Sequence, residues 1–546
     1  MDDNEYRQDS DDYPGNAWTV LDRAGQREFP LNDPLVLEIW GYTDAFSYLP
    51  GDAVNLKVHT TAPYFNIVIF RDGSEKKEVY SKTEIAGTRQ KTPEDSYEKG
   101  CGWEDAHSFV VDEGWESGVY IILLIAKGDK GQTIEREAFF VVRSAFPGRE
   151  NKIAFILSTA TYAAYNDWGG ANHYRRIQNG VPLDLPAPIL SSDRPMARGF
   201  LRLPIGAPRY SDHALQRPLE MPRYPWLEWA FAYEYSRHYP DTGWATYDGP
   251  FVRWSEQQGY KFDFLTQHDL HNDTECLLPY NAVVVVGHDE YSSWQMRDAI
   301  DNLLAGGGNL LRFAGNFTWQ IRLEDSGKTQ VCYKMAADDP LSSSTEKHLT
   351  TTYWDSEIVG RLSAETMGLT GMGGVYARFG NCSPRSSGGL TVYRPEHWAF
   401  ENTDLYYGDQ FGAVPAAIVS FEVDGLDYTF RDGLPYPTHK DGAPGSLEII
   451  AMAPTGGLYE SKRHNQLINS PREEVIPLLD TVPASYEFSE GNRNYGSAMI
   501  GVCEVGKGTV FNAGCSEWVS GLIHQDYFVE QITRNVLSRY NCKKIV

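Results

Sequence analysis

The chain has 546 residues, and 49 Lys and Arg against 74 Asp and Glu give it a formal net charge of −25. Because so acidic a protein repels phosphate backbones, we expect no nucleic acid among its partners. Hydrophobic residues make up 41% of the chain and charged residues 23%, a balance that is typical of globular proteins and excludes a disordered chain. The length predicts about two to four domains.

Apolar stretches are short, and no export signal precedes them. The longest apolar run, 119–126, falls far short of the roughly 20 residues of a membrane helix. The start, Met1-Asp2-Asp3, lacks the basic and apolar regions of a signal peptide. The seven cysteines form no Cys-x-x-Cys pair, and scattered thiols are typical of a reducing compartment. We therefore expect a cytoplasmic protein with no membrane partner.

The first part of the chain predicts an acidic tail and then a β-sandwich. Six of the first twelve residues are Asp or Glu, and residues 1–33 show no hydrophobic period, which is typical of a solvated tail. Over residues 34–146, short β-like runs alternate with turns, and no useful helical period appears. The clearest predicted strands are 54–58, 67–70, 119–125 and 138–142. The size and pattern of this unit predict an immunoglobulin-like β-sandwich.

Residues 147–546 form the second predicted unit, in which apolar strands alternate with helices. The apolar run 282–286 is typical of a strand buried on both faces. An amphipathic pattern over 291–304, three glycines and a strand at 309–313 follow, which together predict a βαβ unit of a parallel sheet. Residues from about 325 to 445 are rich in Gly, Ser and Pro and predict a long insertion. The other predicted elements are strands at 153–157, 447–451, 498–502 and 508–512 and a helix at 525–540.

This pattern predicts an α/β domain of the glutamine-amidotransferase-like kind. A domain of that kind would carry a nucleophilic Cys just after a central strand. In this chain His288 follows the central strand and no Cys is near, so thiol catalysis is not expected. The chain also lacks the Gly-x-Ser-x-Gly elbow, the His-Glu-x-x-His zinc helix and the phosphate-binding P-loop, which excludes those three schemes.

Polar and aromatic residues follow two of the predicted strands. Tyr165, Asn166 and Trp168 come after the strand 153–157, and Asn316 comes after the strand 309–313. Ligands of open α/β sheets bind outside the carboxyl ends of the strands, so these side chains are candidates for binding. A packed aromatic turn and an Asn turn explain the same residues without function.

The central strand ends in His288 and Glu290. In extended backbone two residues at this spacing share one face and point into the same crevice. They could ligate a metal or act as a ligand and a general acid or base. A helix N-terminus that favours acidic residues explains Glu290 equally well, but it does not explain His288. A metal held by phenolate and carboxylate oxygens is one further hypothesis, because such hard ligands favour ferric iron over zinc.

The order and spacing of these motifs resemble those of the large (beta) subunit family of N,N-dimethylformamidase. The resemblance covers roughly residues 35–540, and the end of its sandwich domain matches 140–143. The matching motifs are Ala164-Tyr165-Asn166-Asp167-Trp168-Gly169-Gly170, Gly287-His288-Asp289-Glu290-Tyr291, Gly315-Asn316-Phe317-Thr318-Trp319, His397-Trp398-Ala399-Phe400-Glu401, Ser420-Phe421-Glu422-Val423-Asp424 and Phe511-Asn512-Ala513-Gly514.

The resemblance implies hydrolysis of a small amide at a mononuclear ferric iron (Fe3+) bound by two tyrosines and one glutamate. Carried over by motif, it implies Tyr165 and Glu290 as metal ligands, with Tyr210 in Pro208-Arg209-Tyr210-Ser211 as the second tyrosine. It also implies the following roles: catalytic acid/base groups His288 and Glu422, and substrate-binding residues Asn166, Trp168 and Asn316. The family's lectin-like N-terminal domain and its small subunit have no counterpart in this chain. Whether a small subunit or a homo-oligomer completes the assembly therefore stays open.

Two other functions fit the same sequence. In one, the protein is a non-catalytic binding protein with a β-sandwich recognition module and a degenerate amidotransferase-like domain. In the other, the iron site belongs to an oxygenase or a lyase. A requirement for oxygen or a reductant would separate the last function from hydrolysis, and the sequence does not name the substrate.

Overall fold

The computed structural model describes residues 30, 33–128, 130–178, 181–183, 186–214, 225–374, 382–384, 388–457 and 496–540. The predicted acidic tail, 1–33, lies outside this set except for residues 30 and 33. Among the described residues, no helix combines the length and the apolar character that crossing a bilayer requires.

Eight strands form two sheets in the first part of the chain. They are β1 (Ile39–Thr43), β2 (Ser47–Tyr48), β3 (Ala53–Thr60), β4 (Tyr64–Asp72), β5 (Lys76–Ala86), β6 (Asp105–Val110), β7 (Gly118–Lys127) and β8 (Thr133–Val142), with a short helix α1 (Ser96–Lys99) before β6. One sheet has the order β1-β3-β6 and the other the order β2-β8-β7-β4-β5. The predicted strands at 54–58, 67–70, 119–125 and 138–142 are confirmed, because they lie within β3, β4, β7 and β8. The likeness to immunoglobulin domains stays a prediction.

Both sheets contribute side chains to one core, and β7 also faces a second core. Leu56 of β3 and Ile67 of β4 are fully buried in the core between the sheets. Along β7, Ile122 belongs to that core, whereas its neighbour Ile121 packs into the core of the following domain. Successive side chains of a strand point to opposite faces, so a strand covered on both faces must be apolar throughout. This explains the uninterrupted apolar run at 119–126.

The rest of the chain, as far as the structure describes it, contains one large sheet, one four-stranded sheet and two two-stranded sheets, with helices around them. Its strands are β9 (Ile153–Leu157), β10 (Arg176–Gln178), β11 (Val181–Leu183), β12 (Ile189–Ser191), β13 (Asp263–Thr266), β14 (Ala282–His288), β15 (Tyr291–Ser293), β16 (Asn309–Gly315), β17 (Trp319–Glu324), β18 (Thr329–Val331), β19 (Cys382–Pro384), β20 (Leu390–Val392), β21 (Gln410–Phe411), β22 (Tyr428–Arg431), β23 (Leu434–Pro437), β24 (Glu448–Gly457), β25 (Ser497–Val505) and β26 (Gly508–Asn512). Its helices are α2 (Thr159–Tyr165), α3 (Tyr210–Ala214), α4 (Pro225–Ala232), a π-helix (Trp244–Asp248), α5 (Gly249–Gln257), α6 (Gln267–Asn272), α7 (Trp294–Gly306), α8 (Ser363–Met367), α9 (Trp518–Ile523) and α10 (Tyr527–Arg539). The four-stranded sheet has the order β12-β18-β17-β15, and the two-stranded sheets are β10-β11 and β22-β23.

The large sheet is mixed, whereas the sequence predicts a parallel one. Its strands follow the order β13-β9-β14-β16-β26-β25-β24-β20-β21, with β19 paired to β24. The pairs from β13 to β26 are parallel, and those from β26 to β21 are antiparallel. The change of direction has a local cause: Val505 pairs with Gly508, so Gly506 and Lys507 form a two-residue hairpin turn.

The predicted βαβ unit is present, but its helix begins later than predicted. Tyr291–Ser293 forms the short strand β15, and α7 starts at Trp294. The Ser293 side chain accepts a hydrogen bond from the Met296 amide at 3.3 Å, which fixes the helix start. The three glycines end the helix as predicted, since Gly307 has a φ of 96° at its C-terminus.

The predicted insertion, 325–445, is partly built into the sheet. It contains β20 and β21, which extend the sheet beyond β24, and the separate hairpin of β22 and β23. The extent of the insertion as a unit, like the boundaries at 34–146 and 147–546, stays a prediction.

Candidate functional site

Three neighbouring strands bring the predicted residues to one edge of the sheet. Strand β14 pairs in parallel with β9 on one side and β16 on the other, so their carboxyl ends are adjacent. Tyr165 ends the helix that follows β9, His288 ends β14, and Asn316 follows β16. In the register of the sheet, His288 lies opposite Gly315. The fold therefore gathers side chains that are up to 151 positions apart, as from Tyr165 to Asn316.

The carboxylate of Glu290 is the centre of this cluster. Glu290 is fully buried, and its backbone amide donates to Thr161 Oγ1 at 3.1 Å. The Tyr165 hydroxyl donates to Glu290 Oε2 at 2.8 Å, and the Tyr174 hydroxyl lies 2.8 Å from the same oxygen. The indole of Trp319 donates to Oε1 at 2.7 Å. Two phenols and an indole therefore hold one carboxylate in the interior.

His288 lies between two carboxylates. Its Nδ1 donates to the backbone carbonyl of Asp241 at 2.8 Å, which turns Nε2 towards the cluster. Nε2 lies 3.3 Å from Glu290 Oε2 and contacts Glu422 directly. Burial lowers the pKa of His288, but the charges of Glu422 and Glu290 outweigh burial and raise this pKa to about 9. Burial also raises the pKa of Glu422, against the opposing effect of His288.

Asn316 and Glu422 complete the polar edge of the cluster. Asn316 Nδ2 lies 2.5 Å from Glu422 Oε2 and 3.1 Å from His288 Nε2, while its Oδ1 accepts from Thr318 at 2.7 Å. The φ of Asn316 is 63°, a left-handed conformation that Asn tolerates better than most residues. The side chain of Glu422 is 13% exposed, whereas that of His288 is fully buried, so Glu422 is the member of this pair with access to solvent.

A small residue is required where the loops meet. A Cβ added to Gly315 would lie 2.6 Å from the carbonyl oxygen of Glu422 and 2.8 Å from the amide of Ser516. Both neighbours are backbone atoms that cannot rotate away, so only glycine allows this approach. Gly315 thus sets the distance between the end of β16 and the loop of Glu422.

The donor set fits a hard metal ion. Ligand atoms of His288, Glu290 and Glu422 lie within 4.8 Å of one another. Among the described residues, these three form a group of His and Glu side chains that could hold a metal ion. Burial raises the pKa of the Tyr165 phenol well above its usual value, and Glu290 and Glu422 raise it further. A phenolate at this position therefore needs a nearby positive charge. Phenol and carboxylate oxygens are hard ligands, and here they surround one imidazole.

Tyr210 lies beside the cluster, on a different carboxylate. Its hydroxyl donates to Asp241, and its ring stacks on Phe421 with centroids 3.9 Å apart and planes 4° apart. Phe421 in turn packs edge-on against His288 at 5.2 Å. Tyr174 is the second phenol that contacts Glu290 directly. The role predicted for Tyr210 as a metal ligand stays a prediction, and Tyr174 joins it as a candidate.

Asn166 and Trp168 make structural contacts, and their predicted role in substrate binding stays a prediction. The Asn166 amide donates to the Pro195 carbonyl at 2.9 Å, and its Oδ1 accepts from the backbone amides of Trp168 and Ala197 at 3.2 and 3.0 Å. Trp168 is fully buried against aromatic rings of the first domain, Trp40 and Trp103, each at a centroid distance of 5.9 Å. Both side chains are thus used in packing and in bracing the loop.

Sequence reasoning missed several residues that the fold brings to the cluster. They are Tyr174, Asp241, Trp319 and Lys334. The Lys334 ammonium lies 3.4 Å from the ring centroid of Tyr174 and 5.2 Å from that of Trp319. Trp319 lies in a motif that was singled out above, so its proximity was accessible from the sequence. Tyr174, Asp241 and Lys334 lie in irregular segments without a motif or a period that would mark them.

A buried ion cluster supports the site from within the sheet. Arg312 Nε lies 3.2 Å from Asp289 Oδ2, and its Nη1 contacts Asp424. Asp289 precedes Glu290, and Asp424 follows Glu422 by two positions. Asp424 also accepts from the Phe317 amide at 3.1 Å. Arg312 thus ties together the three chain segments that carry Glu290, Glu422 and Asn316.

The fold and the site define an α/β protein whose strand ends gather phenol, imidazole and carboxylate groups at one buried point. Residues 67–529 match the family described as "N,N-dimethylformamidase beta subunit-like, C-terminal", and the chain belongs to this family. The resemblance drawn from the motifs is therefore confirmed.

Two curated relatives carry the name "N,N-dimethylformamidase beta subunit". The protein from Alcaligenes sp is 23% identical over 456 residues, and the one from Paracoccus aminophilus is 21% identical over 456 residues. Each match covers 81% of this chain and 54% of the relative, so the chain spans about half the length of these relatives. Among solved structures, murine CEACAM1b matches 22% of this chain and 62% of its own, with 14% identity and a TM-score of 0.13, which is too low to support an argument.

Proposed function

We propose that this protein hydrolyses the C–N bond of a small amide. The observation that carries the proposal is the position of His288, which is buried at the strand ends between Glu290 and Glu422 and beside two phenols. Family membership supports the same reaction, since the relatives are named after the hydrolysis of a small amide.

A ferric ion is the cofactor that suits this donor set. Tyr165 and Glu290 are the residues that would hold it, together with a second phenol. When bound, the ion supplies a Lewis acid that polarises a carbonyl group. The buried position of Tyr165 among carboxylates supports the proposal, because a cation there would offset the electrostatic cost of its phenolate.

The chain's own groups move the protons of the reaction. Glu422, which reaches solvent, takes a proton from the attacking water, whose oxygen forms the new bond to the carbonyl carbon. His288 delivers a proton from Nε2 to the nitrogen as the C–N bond breaks and its electron pair stays on that nitrogen. The proton then passes from Glu422 to His288 through their direct contact, which restores both groups. Asn316 Nδ2 lies 3.1 Å from His288 Nε2 and 2.5 Å from Glu422 Oε2, so Asn316 orients the imidazole of His288 relative to the carboxylate of Glu422.

Tyr210 and Tyr174 are both candidates for the second phenolate ligand, and one observation supports each of them. The family resemblance favours Tyr210, and direct contact with Glu290 favours Tyr174. Replacement of each by Phe in the iron-loaded protein separates them. Replacement of the tyrosine that binds iron should shift or bleach the phenolate-to-iron absorption band and reduce the iron content. Replacement of the other tyrosine should change neither the band nor the iron content.

We also propose that the chain works in an assembly, because its relatives are named as beta subunits. Native mass spectrometry measures the mass of the assembly. It is applied to the chain expressed by itself and to the chain purified from its source organism. A monomer that is fully active and binds no second chain would contradict the proposal.

Hydrolysis itself is tested by release of amine from formamides. Glu422→Gln should reduce kcat/KM by at least about a hundredfold, since acid–base groups contribute roughly that much. Glu290→Gln should lose iron and activity together, because Glu290 would hold the ion. Glu113→Gln, at an exposed turn of the first domain, is the matched control and should keep full activity. Turnover that needs oxygen or a reductant would indicate an oxygenase or a lyase. If the folded, iron-loaded protein hydrolysed no amide, the result would contradict hydrolysis and favour a non-catalytic binding protein.

A further inference from the structure

Asp241 hydrogen-bonds to two imidazoles, those of His288 and His238. His288 belongs to the cluster with Glu290 and Glu422, whereas His238 does not. The backbone carbonyl of Asp241 accepts from His288 Nδ1 at 2.8 Å, and its carboxylate lies 2.5 Å from His238 Nδ1. The other carboxylate oxygen accepts from the Tyr210 hydroxyl. Asp241 therefore orients both rings through the same ring nitrogen and leaves each Nε2 directed away from it.

The Nε2 atom of His238 is buried without a hydrogen-bond partner among the described residues. His238 as a whole is only 5% exposed. Its ring packs edge-on against Tyr165 at 5.6 Å and lies 6.3 Å from Tyr174. These are the two phenols on Glu290, so the His238 ring lies beside the site. A buried polar atom that finds no protein partner requires water or a ligand.

The chemistry of the pair determines what this atom can bind. Because the oxygen of Asp241 accepts from Nδ1–H, the neutral ring offers a lone pair at Nε2. A lone pair beside two phenol rings can accept a hydrogen bond from a donor on a small ligand.

We propose that His238 is a substrate-binding residue whose Nε2 accepts a hydrogen bond from an amide N–H. The inference rests on the proposed amide hydrolysis and names its substrate class. The site then prefers primary or N-monosubstituted amides to N,N-disubstituted ones, which have no N–H to donate. The preference is set by a residue on the irregular segment between α4 and the π-helix, outside the motifs that the resemblance rests on.

The experiment compares kcat/KM for formamide, N-methylformamide and N,N-dimethylformamide in the iron-loaded protein. His238→Asn is the decisive variant, because its side-chain amide can still donate to Asp241 but has no atom at the position of Nε2. The ratio of kcat/KM for N-methylformamide to that for N,N-dimethylformamide should fall roughly tenfold, the value of one hydrogen bond. His238→Gln, whose longer amide restores an acceptor near that position, should recover part of the ratio.

Controls separate this inference from the proposed function. His107→Asn, on β6 of the first domain and hydrogen-bonded to Tyr80, should leave the ratio unchanged. Iron content of His238→Asn should equal that of the unmodified protein, and loss of iron would make His238 a metal ligand and overturn the inference. A wild-type preference for N,N-dimethylformamide, or a ratio that His238→Asn does not change, would also overturn it while hydrolysis stands. Absence of turnover with all three amides would instead contradict the proposed function.

Discussion

Replacement of Arg312 by Met would remove a buried guanidinium from beneath the site. Arg312 and Asp424 are fully buried, and Asp289 is 4% exposed. The guanidinium contacts both carboxylates and also lies 3.3 Å from the Asp289 carbonyl oxygen. Met keeps much of the length and the apolar volume of the side chain, so the substitution mainly removes charge and hydrogen bonds.

The expected cost follows from the two carboxylates that lose their cation. Removal of one partner from a buried ion pair costs about 3–5 kcal/mol of unfolding free energy. The loss should depend on pH. Burial raises the pKa of Asp289, and Arg312 opposes that rise, so the variant raises this pKa further. The folded variant then binds a proton that the unfolded chain releases, and stability falls as pH rises. The cost should therefore be smaller at pH 5 than at pH 7.

Urea unfolding at both pH values, followed by tryptophan fluorescence and circular dichroism, measures this cost. Arg202→Met is the matched control, because its side chain is 41% exposed and its partners are Glu135 and Glu137. An exposed pair contributes less than about 1 kcal/mol. If Arg312→Met costs no more than Arg202→Met, or if its cost grows as pH falls, the ion cluster of Arg312, Asp289 and Asp424 does not stabilise the site.

Three further substitutions test other parts of the structure. Burial raises the pKa of Asp248 to about 8, against the hydrogen bond from Tyr162, so the folded protein keeps a proton that the unfolded chain releases above about pH 4. Asp248→Asn should therefore flatten the decline of unfolding free energy between about pH 4 and 8, as measured by urea unfolding. Gly315→Ala should push β16 away from Glu422, lowering kcat at least about tenfold with a stability loss of about 1–3 kcal/mol. Trp168→Ala should cost about 3–5 kcal/mol through the cavity that it leaves. A raised KM for an amide would support the predicted contact of Trp168 with substrate, and an unchanged KM would contradict it.

Local patterns predicted the parts of the fold that depend on local physics. The alternation of Val54, Leu56 and Val58 predicts a half-buried strand, because side chains of a strand alternate between two faces. The valines from 283 to 286 predict a central strand, since such a strand is covered on both sides. The start of α7 was placed three residues early, because Tyr291 to Ser293 fit the apolar pattern of the helix while they pair with β17 as a strand.

The pairing of strands that lie far apart in the sequence cannot be predicted from such local patterns. The change of direction at Gly506 and Lys507 is local, but the antiparallel pairing of β24 with β25 joins strands separated by residues 458–496, whose sequence carries no periodic signal that fixes direction. The candidate site shows the same division. His288, Glu290 and Asn316 follow predicted strands, and the parallel register brings them together. Tyr174 reaches the same carboxylate from an irregular segment, whose path depends on tertiary packing.

The iron content and visible absorption spectrum of the purified protein test the central claim most directly, with Tyr165→Phe as the comparison. We expect stoichiometric iron and a visible band from phenolate-to-iron charge transfer, and we expect Tyr165→Phe to lose or shift this band. A colourless protein that carries zinc or no metal after iron loading, or a band that Tyr165→Phe leaves unchanged, would show that Tyr165 does not hold iron at this site.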